Sequence, residues 1–131
     1  LRDAVRAFRA QGGGEIVGIS SWAAQKSATN PRSIAYAASK AAFKAALQTV
    51  ATAYSREGVH TYIIAPGVVD TQMSRDFAET QGGRSVVEAR LAMGEFVPPG
   101  DIAALAAFCL SGRCRHLSGA TLDVNGASYV R

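Results

Sequence analysis

Residues 14–67 read GEIVGISSWAAQKSATNPRSIAYAASKAAFKAALQTVATAYSREGVHTYIIAPG. The segment begins and ends with short β-branched runs, around Ile16 and Ile63, which are typical of buried strands. Between these runs, the stretch from Ser33 to Glu57 is rich in alanine and contains neither glycine nor proline. It therefore predicts a long helix with Ser33 as N-cap and Gly58 as a left-handed terminator. A strand, a helix and a second strand in this order predict a parallel β-α-β unit.

The flanking sequence continues the alternation of helices and strands. The further predicted elements are an N-terminal helix with Leu1, Val5 and Phe8 on one face, helical pieces over 71–92 broken at Gly82-Gly83, a helix from an N-cap at Asp101 to Leu110, and a last strand over 120–124. The polar segment from Ser20 to about Arg32 is predicted to be a loop. The fold class is therefore α/β, with three strands and flanking helices in one domain spanning residues 1–131.

The composition narrows the class of protein. Of the 131 residues, 48% are apolar and 18% are charged, which is enough apolar surface for a core and argues against disorder. No apolar run approaches the ~20 residues that a membrane span needs. The net charge is +4, but the arginines are scattered rather than clustered with aromatic residues, so no nucleic-acid partner is predicted. We expect a soluble cytoplasmic protein with no membrane partner.

The two cysteines, Cys109 and Cys114, have no spacing typical of a metal or redox site. Cys109 lies in an apolar helical run and is predicted to be a buried thiol. Cys114 stands among basic residues, which could make it more reactive, although an inert thiol is the simpler reading. No metal site is predicted.

Two residues of the long helix carry the first chemical signal. Tyr36 and Lys40 are four residues apart, so their side chains project from one face, with α-carbons ~6 Å apart. An ammonium beside a phenol favours the phenolate, and such a tyrosine can exchange a proton near neutral pH. The pair by itself is weak evidence, because a surface lysine beside a half-buried tyrosine also arises by chance.

The surroundings of this pair strengthen the signal. Ser20-Ser21 stands at the carboxyl end of the first predicted strand, and Pro66-Gly67 stops the second. Parallel strands end at one edge of a sheet, and ligands bind outside that edge in open α/β sheets. We therefore expect Ser21, Tyr36 and Lys40 to meet at one rim, close to the loop that follows Pro66.

Four segments together resemble a known family. They are IVGISS at 16–21, YAASKA at 36–41, PGVVDT at 66–71 and LSGATLDVNG at 117–126. In this order and over nearly the whole chain, they resemble the C-terminal, catalytic half of the short-chain dehydrogenases/reductases. The resemblance is closest to the 3-oxoacyl-carrier-protein reductase-like and the sugar or alcohol dehydrogenase members. It implies half of a doubly wound Rossmann-type parallel sheet and hydride transfer between NAD or NADP and an alcohol or carbonyl substrate.

The resemblance also implies roles for single residues. Tyr36 would be the general acid/base, Lys40 would hold the nicotinamide ribose, and Ser21 would bind the substrate oxygen, with Ser20 as a less favoured rival. The implied cofactor contacts are Tyr36, Lys40, Pro66, Gly67, Val69 and Thr71. Residues from about Met73 to Phe96 would form a mobile lid over a small-molecule substrate. Within that lid, Phe77, Met93 and Phe96 could line an apolar pocket or could belong to the core.

The dinucleotide-binding half of the family has no counterpart in these residues. The glycines at 12–14 follow a helix and precede a strand, which is the reverse of a dinucleotide fingerprint. We therefore expect a partial domain that needs an N-terminal half for activity. The strand Ile16–Ser20 would then have a free edge, which predicts an oligomeric or poorly soluble isolated chain. The family suggests a homodimer or homotetramer, and the alternative function is an inactive fragment that serves as an assembly module. The choice between NAD and NADP and the substrate stay open.

Overall fold

A computed structural model describes residues 1–26 and 30–131. Residues 27–29, inside the predicted polar loop, lie outside the described part. Three parallel strands form one sheet in the order β1 (Gly14–Ile19), β2 (Val59–Pro66) and β3 (Thr121–Val124). The α/β class and the three parallel strands predicted from the sequence are confirmed.

The helices also follow the predicted order. They are α1 (Arg2–Ala10), α2 (Ile34–Tyr54), α3 (Gln72–Thr80), α4 (Arg84–Glu88) and α5 (Pro99–Leu110). Short 3-10 turns cover Trp22–Ala24, Pro31–Ser33, Ser55–Glu57 and Arg115–Leu117. The Gly82-Gly83 break separates α3 from α4 as predicted, and both glycines have positive φ.

The central strand β2 is buried along its whole length because helices cover both of its faces. On one face, Val59 packs with Val5 of α1 and Val50 of α2. On that same face the Thr61 hydroxyl donates to the carbonyl oxygen of Leu47, at 2.8 Å. Alternation along the strand places His60, Tyr62 and Ile64 on the opposite face, which α5 covers. The buried β-branched run around Ile63 is thus the centre of the core.

One predicted helix cap is confirmed in position and the other is wrong. Ser33 is the N-cap residue of α2, but its backbone angles are helical and its side chain makes no capping hydrogen bond. Asn30 caps the preceding 3-10 turn by accepting from Arg32 N–H at 3.0 Å. Asp101 lies within the first turn of α5, whose N-cap is Pro98. Its carboxylate there complements the helix dipole. The predicted terminator Gly58 is confirmed, with φ at +78°.

Strand β1 lies at the edge of the sheet and pairs with β2 on one side. Its other side pairs with no strand within residues 1–26 and 30–131. Ile19 is 41% exposed at its carboxyl end. Cys109 is buried as predicted, and this burial raises the pKa of its thiol. Among the described helices, none combines the length and the apolar character needed to cross a membrane.

Candidate active site

Lys40 lies at the centre of the site because two hydrogen bonds tie its helix to the carboxyl end of β1. Its Nζ donates to the carbonyl oxygen of Ile19 at 3.0 Å, and its own carbonyl oxygen accepts from Ser20 Oγ at 3.1 Å. One helical turn earlier, the Tyr36 ring lies with its centroid 5.8 Å from Lys40 Nζ. The predicted neighbourhood of ammonium and phenol at the rim of the sheet is therefore present.

Tyr36 is well placed for a reaction with a bound molecule. Its side chain is 43% exposed, and its hydroxyl has no hydrogen-bond partner in the described part of the chain. The ammonium binds the end of β1, and the phenol ring lies beside that ammonium. A molecule that lies over this rim could therefore reach both groups.

The two serines after β1 have different surroundings, although both are buried. The Ser20 hydroxyl donates to Lys40 main chain, which occupies its only proton. Ser21 Oγ instead accepts from Ala23 N–H at 3.1 Å and caps the 3-10 turn Trp22–Ala24. Its proton has no acceptor among residues 1–26 and 30–131. Ser21 is thus the serine that keeps a donor available, which favours it over Ser20.

The loop after β2 reaches the same edge of the sheet. Pro66 is the last residue of β2 and pairs with Val124, and Gly67 N–H donates to the Val124 carbonyl oxygen at 2.9 Å. A Cβ at Gly67 would lie 2.9 Å from Asn125 Cβ, so the close approach of the two chains requires glycine. The loop is therefore fixed against the end of β3.

Val69 and Thr71 continue this loop into α3. Val69 forms an isolated bridge with Val97, yet its own N–H donates to no acceptor in the two described ranges. Thr71 is the N-cap of α3, with its hydroxyl oxygen 3.4 Å from Ser74 N–H. One main-chain donor and one hydroxyl thus stand where β2 meets α3.

Asp70 joins this loop to α3 and α4, the two helices of the predicted lid. Its carboxylate binds Arg75 of α3 at 2.6 Å and Arg84 of α4 at 3.0 Å. The hydrogen bond from Arg84, with a further contribution from Arg75, lowers the pKa of Asp70. The predicted lid segment is therefore attached to the site by an exposed ionic contact.

Comparison of the sequence with known families decides the family. The family model described as enoyl-(acyl-carrier-protein) reductase matches residues 1–127. The chain belongs to the short-chain dehydrogenase/reductase family. The resemblance stated from the sequence motifs is thus confirmed.

Relatives within the short-chain dehydrogenases/reductases include sugar and alditol enzymes. L-rhamnose 1-dehydrogenase (NAD(P)(+)) of Sphingomonas sp. (strain SKA58) is 30% identical over 118 residues, which are 90% of this chain and 46% of that enzyme. Galactitol 2-dehydrogenase of Agrobacterium fabrum is 31% identical over 127 residues, or 90% of this chain and 49% of that enzyme. The chain spans about half the length of the curated relatives it matches.

A solved structure of this family has the same fold. It comes from Beutenbergia cavernae, is assigned as an NAD(P)-dependent gluconate 5-dehydrogenase and carries NADP at low occupancy. The two structures agree with a TM-score of 0.88 at 29% identity, over 97% of this chain and 50% of that one. The half-sheet described above is therefore the fold of a short-chain dehydrogenase/reductase.

The sequence left open whether Phe77, Met93 and Phe96 of the predicted lid line a pocket or belong to the core. Phe96 is only 3% exposed and packs with Ala78 and Val87, so it belongs to the core. Phe77 and Met93 are exposed and remain candidates for contact with a substrate.

Sequence reasoning missed one further group beside the site. Gln25, at the end of the 3-10 turn after Ser21, makes hydrogen bonds with Lys44, Asp123 and Tyr129. Two of these partners are 98 and 104 residues away in the chain. No periodicity or motif connects them, so only the packed structure could show the group.

Proposed function

We propose that this chain is the catalytic half of an oxidoreductase that interconverts an alcohol and a ketone or aldehyde, with proton transfer by Tyr36. The observation that carries the proposal is the meeting of Tyr36 and Lys40 with the carboxyl end of β1, directly before Ser21. Open parallel sheets bind their ligands at this edge. Membership of the short-chain dehydrogenases/reductases and the sugar and alditol relatives support the same reaction class.

The proton-transfer step follows from the side chains themselves. In the direction of carbonyl reduction, Tyr36 gives its phenolic proton to the substrate oxygen, while Ser21 donates a hydrogen bond to the same oxygen. The Lys40 ammonium, one turn away, stabilises the phenolate that remains. In the direction of alcohol oxidation, Tyr36 takes the proton back. A donor placed where negative charge develops stabilises the transition state more than the ground state.

A nicotinamide cofactor fits the donors at this rim. When bound, NAD or NADP supplies or accepts the hydride at the substrate carbon. The Val69 N–H, which has no acceptor among the described residues, and the Thr71 hydroxyl would hold it on one side, and the Lys40 ammonium on the other. Pro66 and Gly67 would contact it through the fixed main chain of their loop. Tyr36 and Lys40 therefore belong to both the catalytic and the cofactor-binding sets.

The domain organisation is part of the proposal. Residues 1–131 would be the substrate-side half of a Rossmann-type domain, and an N-terminal half would pair with the free edge of β1 and hold the dinucleotide. Backbone donors and acceptors along that edge, beside the exposed Ile19, support a missing neighbour strand. On this view, residues 1–131 alone would be inactive.

Self-association is a further part of the proposal. The helix α2 exposes Ile34 at 70%, and a row of exposed alanines on the same side, Ala38, Ala42, Ala45 and Ala46, permits close helix packing. An exposed apolar helix face of this kind suits a second copy of the same helix. We therefore infer a homodimer or homotetramer built in part on α2.

Activity of the full-length protein tests the proposal. NAD⁺ and NADP⁺ are offered with L-rhamnose, galactitol and simple secondary alcohols, and reduction of the cofactor is followed by absorbance. Tyr36→Phe should lower kcat at least ~100-fold, because general acid/base catalysis contributes about 10²–10⁴. Tyr54→Phe is the matched control and should retain activity, because Tyr54 lies on the same helix but packs against the core around Val5 and Val59. Equal activity of the wild type and Tyr36→Phe would exclude the proposed role.

Calorimetry separates this proposal from the alternative assembly module. Titration of NADH and NADPH into the full-length protein should give saturable heat if the protein is an oxidoreductase. Absence of binding by either cofactor, together with stable self-association in analytical ultracentrifugation, would favour the module instead.

A further inference from the structure

We propose that Gln25 is a positioning residue that fixes the turn carrying Ser21 against α2 and the last strand. The inference rests on the proposed function, since it concerns how Ser21 is held for that reaction. Gln25 itself need not touch substrate or cofactor. It acts through the short 3-10 turn between itself and the serine.

The first observation is that both ends of this turn are fixed. Ser21 caps its start by accepting from Ala23 N–H at 3.1 Å. Gln25 closes its end, with its N–H donating to the Trp22 carbonyl oxygen at 2.9 Å. A displacement of Gln25 therefore moves the turn, and with it the direction of the Ser21 side chain.

The second observation is that the Gln25 amide is bonded on both sides. Its Nε2 donates to Asp123 Oδ1 of β3 at 2.8 Å, and its Oε1 accepts from Lys44 Nζ of α2 at 3.3 Å. Lys44 lies one helical turn beyond Lys40, the residue bound to the end of β1. The amide thus connects the serine turn to the helix that carries Tyr36 and Lys40.

The third observation is that the C-terminal residues close over the same position. The Tyr129 hydroxyl donates to the Gln25 carbonyl oxygen at 3.3 Å, and Asn125 Nδ2 holds the Tyr129 carbonyl oxygen at 2.9 Å. Ala127 has φ at +57° in the turn between them, a conformation that costs an L-residue energy. Arg131 Nε donates to the second oxygen of Asp123 at 2.9 Å. Residues from three separate parts of the chain therefore converge on Gln25.

A positioning role and a simple packing role make different predictions for kinetics. If Gln25 orients Ser21, its loss should lower kcat and leave the KM for the cofactor nearly unchanged, because Lys40, Val69 and Thr71 keep their places. Misplacement of a catalytic group by about 1 Å can cost ~100-fold, so we expect a decrease of about 10–100-fold in kcat. A loss of packing alone would lower the thermal midpoint but would not lower kcat while leaving the KM for the cofactor unchanged.

The experiment exchanges the amide and the carboxylate across the contact in the full-length protein. Gln25→Glu places a carboxylate against Asp123, and Asp123→Asn removes the charge that binds Arg131. Each single variant should lower kcat. In the double variant the carboxylate at position 25 still accepts from Lys44, and the amide at position 123 donates to it while its oxygen accepts from Arg131. The double variant should recover kcat to within about threefold of the wild type, since all of these hydrogen bonds can form again.

The control and the opposing outcomes are as follows. Gln11→Ala removes an exposed amide outside the site and the predicted lid, whose side-chain partner among the described residues is the carbonyl oxygen of Gly13, and it should leave kcat unchanged. Measurements are made well below the thermal midpoint of each variant. If the wild type turns over substrate and Gln25→Ala is as active as Gln11→Ala, the positioning role is overturned while the proposed function stands. The same holds if the double variant fails to recover. Absence of any turnover by the wild type would overturn the proposed function and this inference together.

Discussion

Lys40 and Ile19 are joined by a hydrogen bond of 3.0 Å between the lysine Nζ and the main-chain carbonyl oxygen of the last residue of β1. The bond has a counterpart in the opposite direction, because Ser20 Oγ donates to the Lys40 carbonyl oxygen. Helix α2 and the end of β1 are thus held together at the point where Tyr36 and Ser21 stand. The lysine therefore has a structural contact as well as its proposed chemical role.

Lys40→Met should separate these two roles. The variant keeps the length of the side chain but removes the ammonium, so kcat should fall by about 100-fold or more as stabilisation of the phenolate is lost. Unfolding in urea should show only a small loss, on the order of 1 kcal/mol for one hydrogen bond. Lys26→Met is the control, because the Lys26 ammonium lies over the Trp22 ring, whereas the Lys40 ammonium lies over the Tyr36 ring. Wild-type kcat in Lys40→Met would contradict the chemical role.

The fold could be predicted from the sequence further than the site could. An apolar β-branched run such as the one around Ile63 is typical of a strand covered on both faces. Gly58 ends the helical segment because glycine readily adopts a positive φ, which is a local property of the sequence. Helix caps were harder to predict. Whether the Ser33 side chain can cap α2 depends on whether a 3-10 turn precedes the helix, and here one does. Tyr36 and Lys40 could be predicted because they are only four residues apart and belong to one motif. The partners of Gln25 depend on long-range packing and left no local signal.

Asp70→Asn should loosen the lid helices. The substitution removes the charge that binds Arg75 and Arg84, so hydrogen exchange of α3 and α4 amides should become faster and the substrate KM should rise. Raised salt should have a similar but smaller effect on the wild type, because the contact is exposed. Asp76→Asn is the control, since the only side-chain partner of Asp76 among the described residues is Gln72 of the same helix.

The same contact has a defined pH dependence. The pKa of Asp70 is lowered in the folded chain, so the contact contributes its full stability above the ordinary aspartate pKa of about 3.9. That contribution is lost as the pH falls through the lower folded value. Exchange in α3 of the wild type should therefore approach that of Asp70→Asn only in strong acid. A lid that loosens already between pH 5 and 6 would contradict this assignment.

Tyr62→Phe should be neutral or stabilising. Tyr62 is fully buried in β2, and its hydroxyl has no hydrogen-bond partner in the described residues. A buried hydroxyl without a partner costs about 1–3 kcal/mol, so its removal should raise the free energy of unfolding by up to about that amount. Thr61→Val on the same strand is the contrasting variant, because the Thr61 hydroxyl is bonded to Leu47, and it should destabilise.

The buried Tyr62 also predicts how the free energy of unfolding changes at alkaline pH. Burial raises the pKa of Tyr62, and the nearby Glu15 carboxylate raises it further. The folded state then keeps a proton that the unfolded state releases above a pH of about 10. This contribution to stability is complete below that pH and decreases as the pH rises. Urea unfolding at successive pH values should show a steeper alkaline decrease for the wild type than for Tyr62→Phe.

Gly18→Ala should weaken the packing of α2 on β1. A Cβ at Gly18 would overlap Leu47 Cδ1 and lie 3.0 Å from Phe43 Cε1. Leu47 is fully buried and cannot move aside freely, so overpacking should cost about 1–3 kcal/mol of unfolding free energy. Because Lys40 and Tyr36 lie on the same helix, kcat should fall as well.

Gly100→Ala is the matched control for this substitution. Gly100 lies in the first turn of α5, where a Cβ would meet no atom within 4 Å. Alanine at a compatible helical position stabilises by about 0.4–1 kcal/mol, so the two glycine substitutions should have opposite signs. The free energies of unfolding in urea provide the comparison. If Gly18→Ala were as stable as Gly100→Ala, α2 would not pack as closely on the strand as the structure requires, and the contact of Lys40 with the end of β1 would lose its support.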